Sequence, residues 1–159
     1  MYSEEVILHP TVQYEEHDTY QKIYEDSKIQ IYLGSAAARR YIEKEEFQWV
    51  IEIGDDSADQ YSTIICSNNP SVYRFNFLDH RNIPLMEFIN PINECLITLS
   101  GKGLIHCREG RSRSVAVAIY FIMKRLNLCY TDAYDYVKSK RPVAKPNVGF
   151  QRILRNITY

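Results

Sequence analysis

A cysteine, a glycine and an arginine occur close together in residues 106–114, which read HCREGRSRS. Residues 104–106 have the pattern of a short strand, and residues 114–126 are apolar on almost every face, which predicts a buried central helix. A loop that joins a strand directly to a helix brings backbone N–H groups and the helix N-terminus around one point. The sequence therefore predicts an anion-binding loop at this position.

The side chains of this loop are suited to phosphate chemistry. Cys107 lies inside the positive potential of the loop, which favours its thiolate, a strong nucleophile toward phosphorus. Arg113 lies at the start of the helix, where its planar guanidinium can hold two phosphate oxygens. Gly110 allows the backbone to turn tightly enough for the N–H groups to converge. Ser112 and Ser114 supply hydroxyls, and Ser114 is placed to hydrogen-bond the cysteine sulfur when it becomes a leaving group.

The same residues resemble the active loop of the protein tyrosine phosphatase superfamily, which reads His-Cys, five residues, Arg, then Ser or Thr. Three further segments are similar to motifs of its dual-specificity subgroup: YLGS at residues 32–35, VKSKRP at 137–142 and PNVGF at 146–150. The chain therefore resembles a dual-specificity phosphatase. The resemblance implies a catalytic domain at residues 29–159. Residues 1–28 are polar and acidic, which predicts an N-terminal extension with one helix.

The resemblance implies a phosphocysteine intermediate, without a metal or other cofactor. Cys107 would attack phosphorus, and an aspartic acid would protonate the leaving oxygen and then activate water. The family carries this acid on a loop between a strand and the helix before the active loop, a place that Asp79 occupies. The alternative for Asp79 is a structural role in a turn. His106 is expected to support the loop and tune Cys107. The phosphate-binding residues would be Arg108, Glu109, Gly110, Arg111, Ser112 and Arg113.

Two other kinds of site use the same residue types. A zinc site of His106, Cys107 and His80 lacks a fourth ligand at useful spacing. A cysteine protease needs a base histidine and gives no reason for Arg113 or Gly110. Both interpretations are therefore disfavoured.

The substrate class is left open by the loop. Arg108 and Arg111 resemble the basic residues of phosphoinositide phosphatases, and some members of the superfamily act on RNA 5′ phosphates, whereas Glu109 offsets part of the positive charge. A phosphorylated protein is the favoured substrate, and a polyanionic lipid or RNA is the alternative. The domain is too short for the tyrosine-recognition loop of tyrosine-specific enzymes, so a shallow pocket for phosphotyrosine, phosphoserine and phosphothreonine is expected. A catalytically weak phospho-binding module is disfavoured because Cys107 and Arg113 are both present.

Alternating strands and helices predict the fold that positions the loop. Strands are expected at residues 29–33, 49–53, 63–66, 72–77 and 104–106. Helices are expected at residues 36–41, 84–96, 114–126, 131–139 and 147–157, and near 19–25. Pro91 is expected to break or bend the second of these helices. The pattern indicates an α/β fold, with a central, mostly parallel, twisted sheet of about five strands and helices on both faces.

The composition is typical of one compact domain of 159 residues. No apolar run is long enough to span a bilayer, and the N-terminus shows neither a secretory signal nor a glycine for myristoylation, so a cytoplasmic or nuclear location is expected. Residues 1–101 carry 7 basic and 17 acidic side chains, whereas residues 102–159 carry 12 basic and 3 acidic ones. The basic half either attracts the acidic half within the fold or draws in anionic ligands. No pattern determines the oligomeric state.

The four cysteines contain no CxxC pair, which argues against a disulfide framework and a zinc ribbon and favours a reducing compartment. Cys66, Cys95 and Cys129 are predicted to be small core residues. Under oxidation, one of them could form a reversible disulfide with Cys107.

Overall fold

The computed structural model describes residues 16–55 and 70–158. A five-stranded sheet lies at its centre, in the order β1-β2-β5-β3-β4. The strands are β1 (Tyr20–Glu25), β2 (Ile29–Gly34), β3 (Trp49–Gly54), β4 (Ser71–Asn76) and β5 (Gly101–His106). β1 pairs with β2 in an antiparallel manner, and the other three pairings are parallel. The predicted α/β fold with a mostly parallel sheet is confirmed.

Helices cover both faces of the sheet. One face carries the longer helices α3 (Leu85–Leu96), α4 (Arg113–Leu126), α5 (Tyr130–Lys140) and α6 (Val148–Arg155). The other face carries a 3₁₀ helix (Ala36–Tyr41) and the single-turn α2 (Ile42–Glu45), and the single-turn α1 (Glu16–Thr19) precedes β1. None of the helices in the described ranges combines the length and the apolar character that a bilayer span requires.

Side-chain alternation along the central strands divides the core into two clusters. Trp49, Ile51 and Ile53 of β3 pack in the larger cluster with α4, whereas Val50 packs with Ile42 in the smaller one. Successive side chains of a strand point to opposite faces, so an apolar run covered on both sides fits a central strand. Helix α4 is buried from its first residue through Met123. Its burial fixes the loop that precedes it.

The segment before β2 differs from its prediction. The helix expected near residues 19–25 is wrong, because Tyr20–Glu25 form β1 and α1 ends at Thr19. Tyr20, Ile23 and Tyr24 have the i, i+3, i+4 spacing of a helix face, and this local pattern favours a helix. Pairing with β2 satisfies the backbone of both strands and buries Tyr20, Ile23 and Tyr24.

Of the break or bend expected at Pro91, the break does not occur. Helix α3 runs through this residue without interruption. Its apolar face is buried on both sides of the proline, through Leu85, Ile89, Ile92 and Leu96. This burial compensates for the hydrogen bond that the proline nitrogen cannot donate.

The cysteines have unequal environments. The strand predicted at residues 63–66, together with Cys66, lies outside the described residues. Cys95 is half-buried in α3, and burial raises the pKa of its thiol. The prediction of Cys129 as a core residue is wrong. It is exposed at the N-terminal boundary of α5, where Tyr130 provides the first buried side chain instead.

Candidate active site

Residues 107–112, called the phosphate loop below, lie at the carboxyl end of β5, which is flanked by β2 and β3. β5 ends at His106 and α4 begins at Arg113, so the loop joins the strand to the helix as the sequence predicts. Ligands of α/β proteins bind at the carboxyl ends of parallel strands. The loop also surrounds the N-terminus of a 14-residue helix, where the helix dipole favours a negative charge.

Arg141 holds the phosphate loop from behind. Its side chain is among the most buried in the protein, with 1% of its surface exposed. Nε donates a hydrogen bond to the carbonyl of Gly110 at 2.7 Å, and Nη2 donates one to the carbonyl of Glu109 at 3.3 Å. Nη1 donates to Oε1 of Gln21 at 2.6 Å. Burial lowers the pKa of this guanidinium.

Two backbone hydrogen bonds complete the outer side of the loop. The N–H of Ala36 donates to the carbonyl of Arg108 at 3.0 Å, and the N–H of Lys145 donates to the carbonyl of Arg111 at 2.8 Å. Four consecutive carbonyls, those of residues 108–111, are therefore bound on the outside. Since the C=O and N–H of one peptide plane point in opposite directions, the N–H groups of residues 109–112 are directed to the inside.

Gly110 is required by the backbone of the loop. Its φ of +67° lies in the region that favours glycine. A Cβ at this position would lie 2.5 Å from Nη2 of Arg141 and from the carbonyl of Gly34. The close approach of Arg141 to the loop therefore depends on this glycine.

Cys107 is buried at the base of the loop, with 4% of its surface exposed. Its Sγ lies 3.1 Å from Oγ of Ser114, and the N–H of Ser114 donates to Sγ at 3.5 Å. The hydroxyl and the backbone N–H of Ser114, in the first turn of α4, thus both contact the sulfur of Cys107. This arrangement stabilises negative charge there.

Asp79 lies on the segment that follows β4, and two polar side chains contact its carboxylate. Oγ of Ser112 donates to Oδ1 at 2.6 Å, and Nδ2 of Asn147 donates to the same oxygen at 2.8 Å. The N–H of Asn147 donates to Oγ of Ser112 at 2.9 Å, which closes a ring of three residues. The ring connects the Asp79 segment, the phosphate loop and the start of α6.

A cavity of about 200 Å³ brings together Cys107, Arg113 and Asp79. Asp55, which directly follows β3, also lines this cavity. Arg113 is almost fully buried, and its Nη1 donates to the carbonyl of Phe77 at 3.3 Å. The arginine therefore contacts the segment that carries Asp79 as well as the cavity.

A charged cluster lies behind the phosphate loop, on the face of the 3₁₀ helix. His106 is paired in register with Glu52 of β3, and its Nε2 lies 3.9 Å from Oε1 of that residue. Glu52 contacts Nη1 of Arg39 at 2.5 Å and Nε of Arg74 at 3.1 Å. Nδ1 of His106 lies 3.4 Å from the carbonyl oxygen of Cys107. These contacts fit a supporting role for His106.

Three side chains of the phosphate loop, those of Arg108, Glu109 and Arg111, are exposed and line the cavity that contains Cys107. Nη1 of Arg111 lies 4.0 Å from Oε1 of Glu109, so the two charges partly offset each other. His80 is also exposed, and its Nδ1 accepts a hydrogen bond from the N–H of Asn82 at 3.1 Å. In the part of the chain that the structure describes, no three side chains of metal-binding type come together.

Residues 31–158 match the family model of the dual specificity phosphatase catalytic domain. The chain belongs to the dual specificity phosphatase family. Human dual specificity protein phosphatase 14 is 50% identical over 54 residues, which are 34% of this chain and 27% of that protein. Human dual specificity protein phosphatase 21 is 34% identical over 84 residues, 51% of this chain and 44% of that protein. The chain spans less than half the length of these curated relatives.

Solved structures show that this dual specificity phosphatase has the phosphatase fold of its relatives. A human tyrosine phosphatase-like serine/threonine/tyrosine-interacting protein superposes with a TM-score of 0.72 at 21% identity, covering 87% of this chain and 94% of that one. Human DUSP28 superposes with a TM-score of 0.67 at 24% identity, covering 86% and 90%.

Sequence reasoning missed several residues of this site. Arg141 and Asn147 lie within the two C-terminal motifs, but the motifs alone do not show what these side chains contact. Asp55 has the appearance of an ordinary turn residue. Glu52 carried a usable signal, because a carboxylate inside the apolar strand 49–53 must find a buried partner.

Proposed function

We propose that this dual specificity phosphatase hydrolyses phosphate monoesters on proteins, with Cys107 as nucleophile, Arg113 as phosphate-binding cation and Asp79 as general acid. The observation that carries the proposal is the single cavity that these three side chains line. They come from the phosphate loop, the first residue of α4 and the segment after β4. The inward N–H groups of the phosphate loop are suited to the remaining phosphate oxygens.

In the first step, the Cys107 thiolate attacks phosphorus, so that an S–P bond forms while the P–O bond to the substrate breaks. Asp79 gives its proton to the leaving oxygen, which departs as an alcohol or phenol. Arg113 and the loop N–H groups hold the equatorial oxygens, where charge must be stabilised.

In the second step, the Asp79 carboxylate accepts a proton from water while the water oxygen attacks phosphorus. The S–P bond breaks and the electron pair returns to sulfur, regenerating the thiolate and releasing phosphate. The Ser114 hydroxyl, 3.1 Å from Sγ, is positioned to stabilise the departing sulfur. All proton transfers are thus assigned to side chains of the chain, and the proposed reaction uses no metal.

The proposed substrates are phosphotyrosine, phosphoserine and phosphothreonine of a protein. The second candidate is a polyanionic lipid, supported by the two exposed arginines at the cavity, Arg108 and Arg111. PTPMT1 in complex with PI(5)P is a structural neighbour with a TM-score of 0.61, but at 18% identity it supports only the fold. Glu109 on the same loop opposes a strongly polyanionic ligand and supports the protein substrate.

The test measures turnover of an aryl phosphate and of phosphotyrosine, phosphothreonine, phosphoinositide and 5′-phosphorylated RNA substrates in the presence of a metal chelator. We expect turnover of the aryl phosphate and the peptides. Cys107→Ser should abolish turnover but retain phosphopeptide binding, whereas the matched control Cys129→Ser should remain active. A fully active Cys107→Ser protein, or activity that requires a metal, would overturn the mechanism. Binding of phosphopeptides by the unaltered protein without turnover would indicate a phospho-binding module.

A further inference from the structure

A second cavity, of about 690 Å³, lies beside the catalytic cavity. The two cavities share three wall residues, Arg108, Glu109 and Arg111 of the phosphate loop. A substrate whose phosphate lies over Cys107 would therefore pass these side chains to enter the second cavity. Its volume falls within the range of about 300–1,000 Å³ that is typical of ligand sites.

The most buried cation of the second cavity is already engaged within the protein. Nε, Nη1 and Nη2 of Arg141 each donate a hydrogen bond, to Gly110, Gln21 and Glu109. Its charge therefore holds the phosphate loop. A second phosphate in this cavity would have to compete with those bonds.

The rim of the cavity carries both signs of charge. Arg108 and Arg111 contribute positive charge, whereas Asp18 and Glu109 contribute negative charge. A strongly charged ligand group of either sign would meet a like charge as well as an opposite one. The rim therefore gives little preference for a charged group.

Much of the remaining wall is apolar, and part of it is exposed. It includes Ala36, Ala37, Pro142 and Val143. Val143 has 47% of its surface exposed, although it lies in the wall of a cavity. An apolar side chain of a bound ligand would cover this surface and remove both apolar surfaces from water, which stabilises the complex of protein and ligand. The cavity thus offers apolar contact beside its charged rim.

We propose that this cavity binds an apolar side chain, of the size of leucine or phenylalanine, that neighbours the phosphorylated residue in a phosphoprotein substrate. The inference rests on the protein phosphatase function proposed above, and it adds a sequence preference to it. Recognition of the phosphate belongs to the catalytic cavity, and selection among phosphoproteins belongs to the second cavity.

The test uses phosphotyrosine peptides of glycine and serine in which a single leucine is moved, one position at a time, along either side of the phosphotyrosine. One position is expected to raise kcat/KM about tenfold through KM, which corresponds to burial of roughly 60 Å² of apolar surface. Glutamate, lysine or phosphothreonine at the same position should give no such gain.

Variants then locate the effect. Val143→Asp should remove the leucine preference, measured as the ratio of kcat/KM for the leucine peptide to that for an aryl phosphate. Ala37→Leu, which fills part of the cavity, should reduce the same ratio. Ile97→Asp is the matched control, because Ile97 is also an exposed apolar residue, at 53%, and does not line either cavity. The ratio for the control should match that of the unaltered protein.

Three results would overturn the proposal: equal kcat/KM for all leucine positions, a preference for glutamate or phosphothreonine, or an unchanged ratio in Val143→Asp. Failure of the proposed function is a separate outcome, because the aryl phosphate would then not be hydrolysed either. In that case, equilibrium binding of the same peptides to the protein still tests the leucine preference.

Discussion

Nδ2 of Asn147 donates a hydrogen bond of 2.8 Å to Oδ1 of Asp79, although the two residues are 68 positions apart in the chain. The same asparagine is the N-cap of α6, where its Oδ1 accepts a hydrogen bond from the N–H of Phe150 at 2.9 Å. Its side chain is thus held by the helix at one atom and contacts the proposed general acid with another. The position of the acid therefore depends on how α6 packs.

Asn147→Ser should separate these two roles, because serine preserves the helix cap but cannot reach Asp79. We expect kcat to fall about 3- to 10-fold for substrates with poor leaving groups, the effect of losing one hydrogen bond to the protonated, uncharged acid. Aryl phosphates with acidic phenols should change little, since their leaving oxygen needs little protonation. The measurement is the dependence of kcat on leaving-group pKa, with Asn90→Ser as control. An equal loss for all substrates would assign Asn147 to the phosphate loop instead.

Asp79 and Asp55 line the same cavity, so both need to be tested as the general acid. Asp79→Asn should lower kcat by roughly 10²- to 10⁴-fold for peptides with poor leaving groups, whereas Asp55→Asn should lower it less than about 5-fold. The reason is the fixed orientation of Asp79 by Ser112 and Asn147. The measurement is the pH profile of kcat/KM: loss of the true general acid should remove the fall in rate at high pH, where that acid loses its proton. The reverse order of effects would transfer the role to Asp55.

Ser114→Ala should slow the second step selectively. Its hydroxyl lies at Sγ of Cys107 and is expected to stabilise the sulfur as the S–P bond breaks. We expect a burst of phenol release with an aryl phosphate, followed by a steady rate lowered about 10- to 100-fold. Rapid-mixing kinetics measure both phases. Ser139→Ala on α5 is the control, and a slower burst without a change in the steady rate would contradict the assignment.

Arg141→Lys should destabilise the protein, although it preserves the charge. A lysine cannot reproduce the three hydrogen bonds that the planar guanidinium donates in different directions. The expected loss in the free energy of unfolding is about 2–4 kcal/mol, measured by urea denaturation. Arg152→Lys, at an exposed position of α6, should change it by less than about 0.5 kcal/mol. A similar stability of the two variants would show that Arg141 is dispensable for the loop.

Asp26 should make the stability depend on pH. Hydrogen bonds from the N–H groups of Lys28 and Ile29, and contacts with Tyr24 and Arg125, hold the pKa of its carboxyl well below the usual range. A lowered folded-state pKa stabilises the protein above the unfolded pKa of about 4, and the contribution is lost as the pH falls below that value. Asp26→Asn should therefore destabilise the protein at neutral pH, with a difference that shrinks below about pH 4. The measurement is the urea midpoint of the unaltered protein and of Asp26→Asn at pH values from neutral to below about 4, with Asp132→Asn as the control variant.

The sequence alone determined the phosphate loop, because its chemistry is local. A strand, a glycine-containing turn and a helix follow one another without interruption. The positions of Cys107 and Arg113 therefore depend only on the few residues around them. The alternation of strands and helices likewise predicted the α/β fold. These features depend on side-chain periodicity and on short-range backbone geometry, both of which can be read from the chain.

Tertiary structure decided what surrounds the loop. The contacts of Arg141 with Gly110 and of Asn147 with Asp79 join distant segments. They exist only once α5 and α6 pack against the sheet. The strand β1 also follows from pairing with β2, which overrides the helix-like apolar spacing of residues 20–25. The second cavity is formed by four separate segments of the chain. Hydrogen bonding and burial between distant residues are properties of the packed core, and no local pattern encodes them.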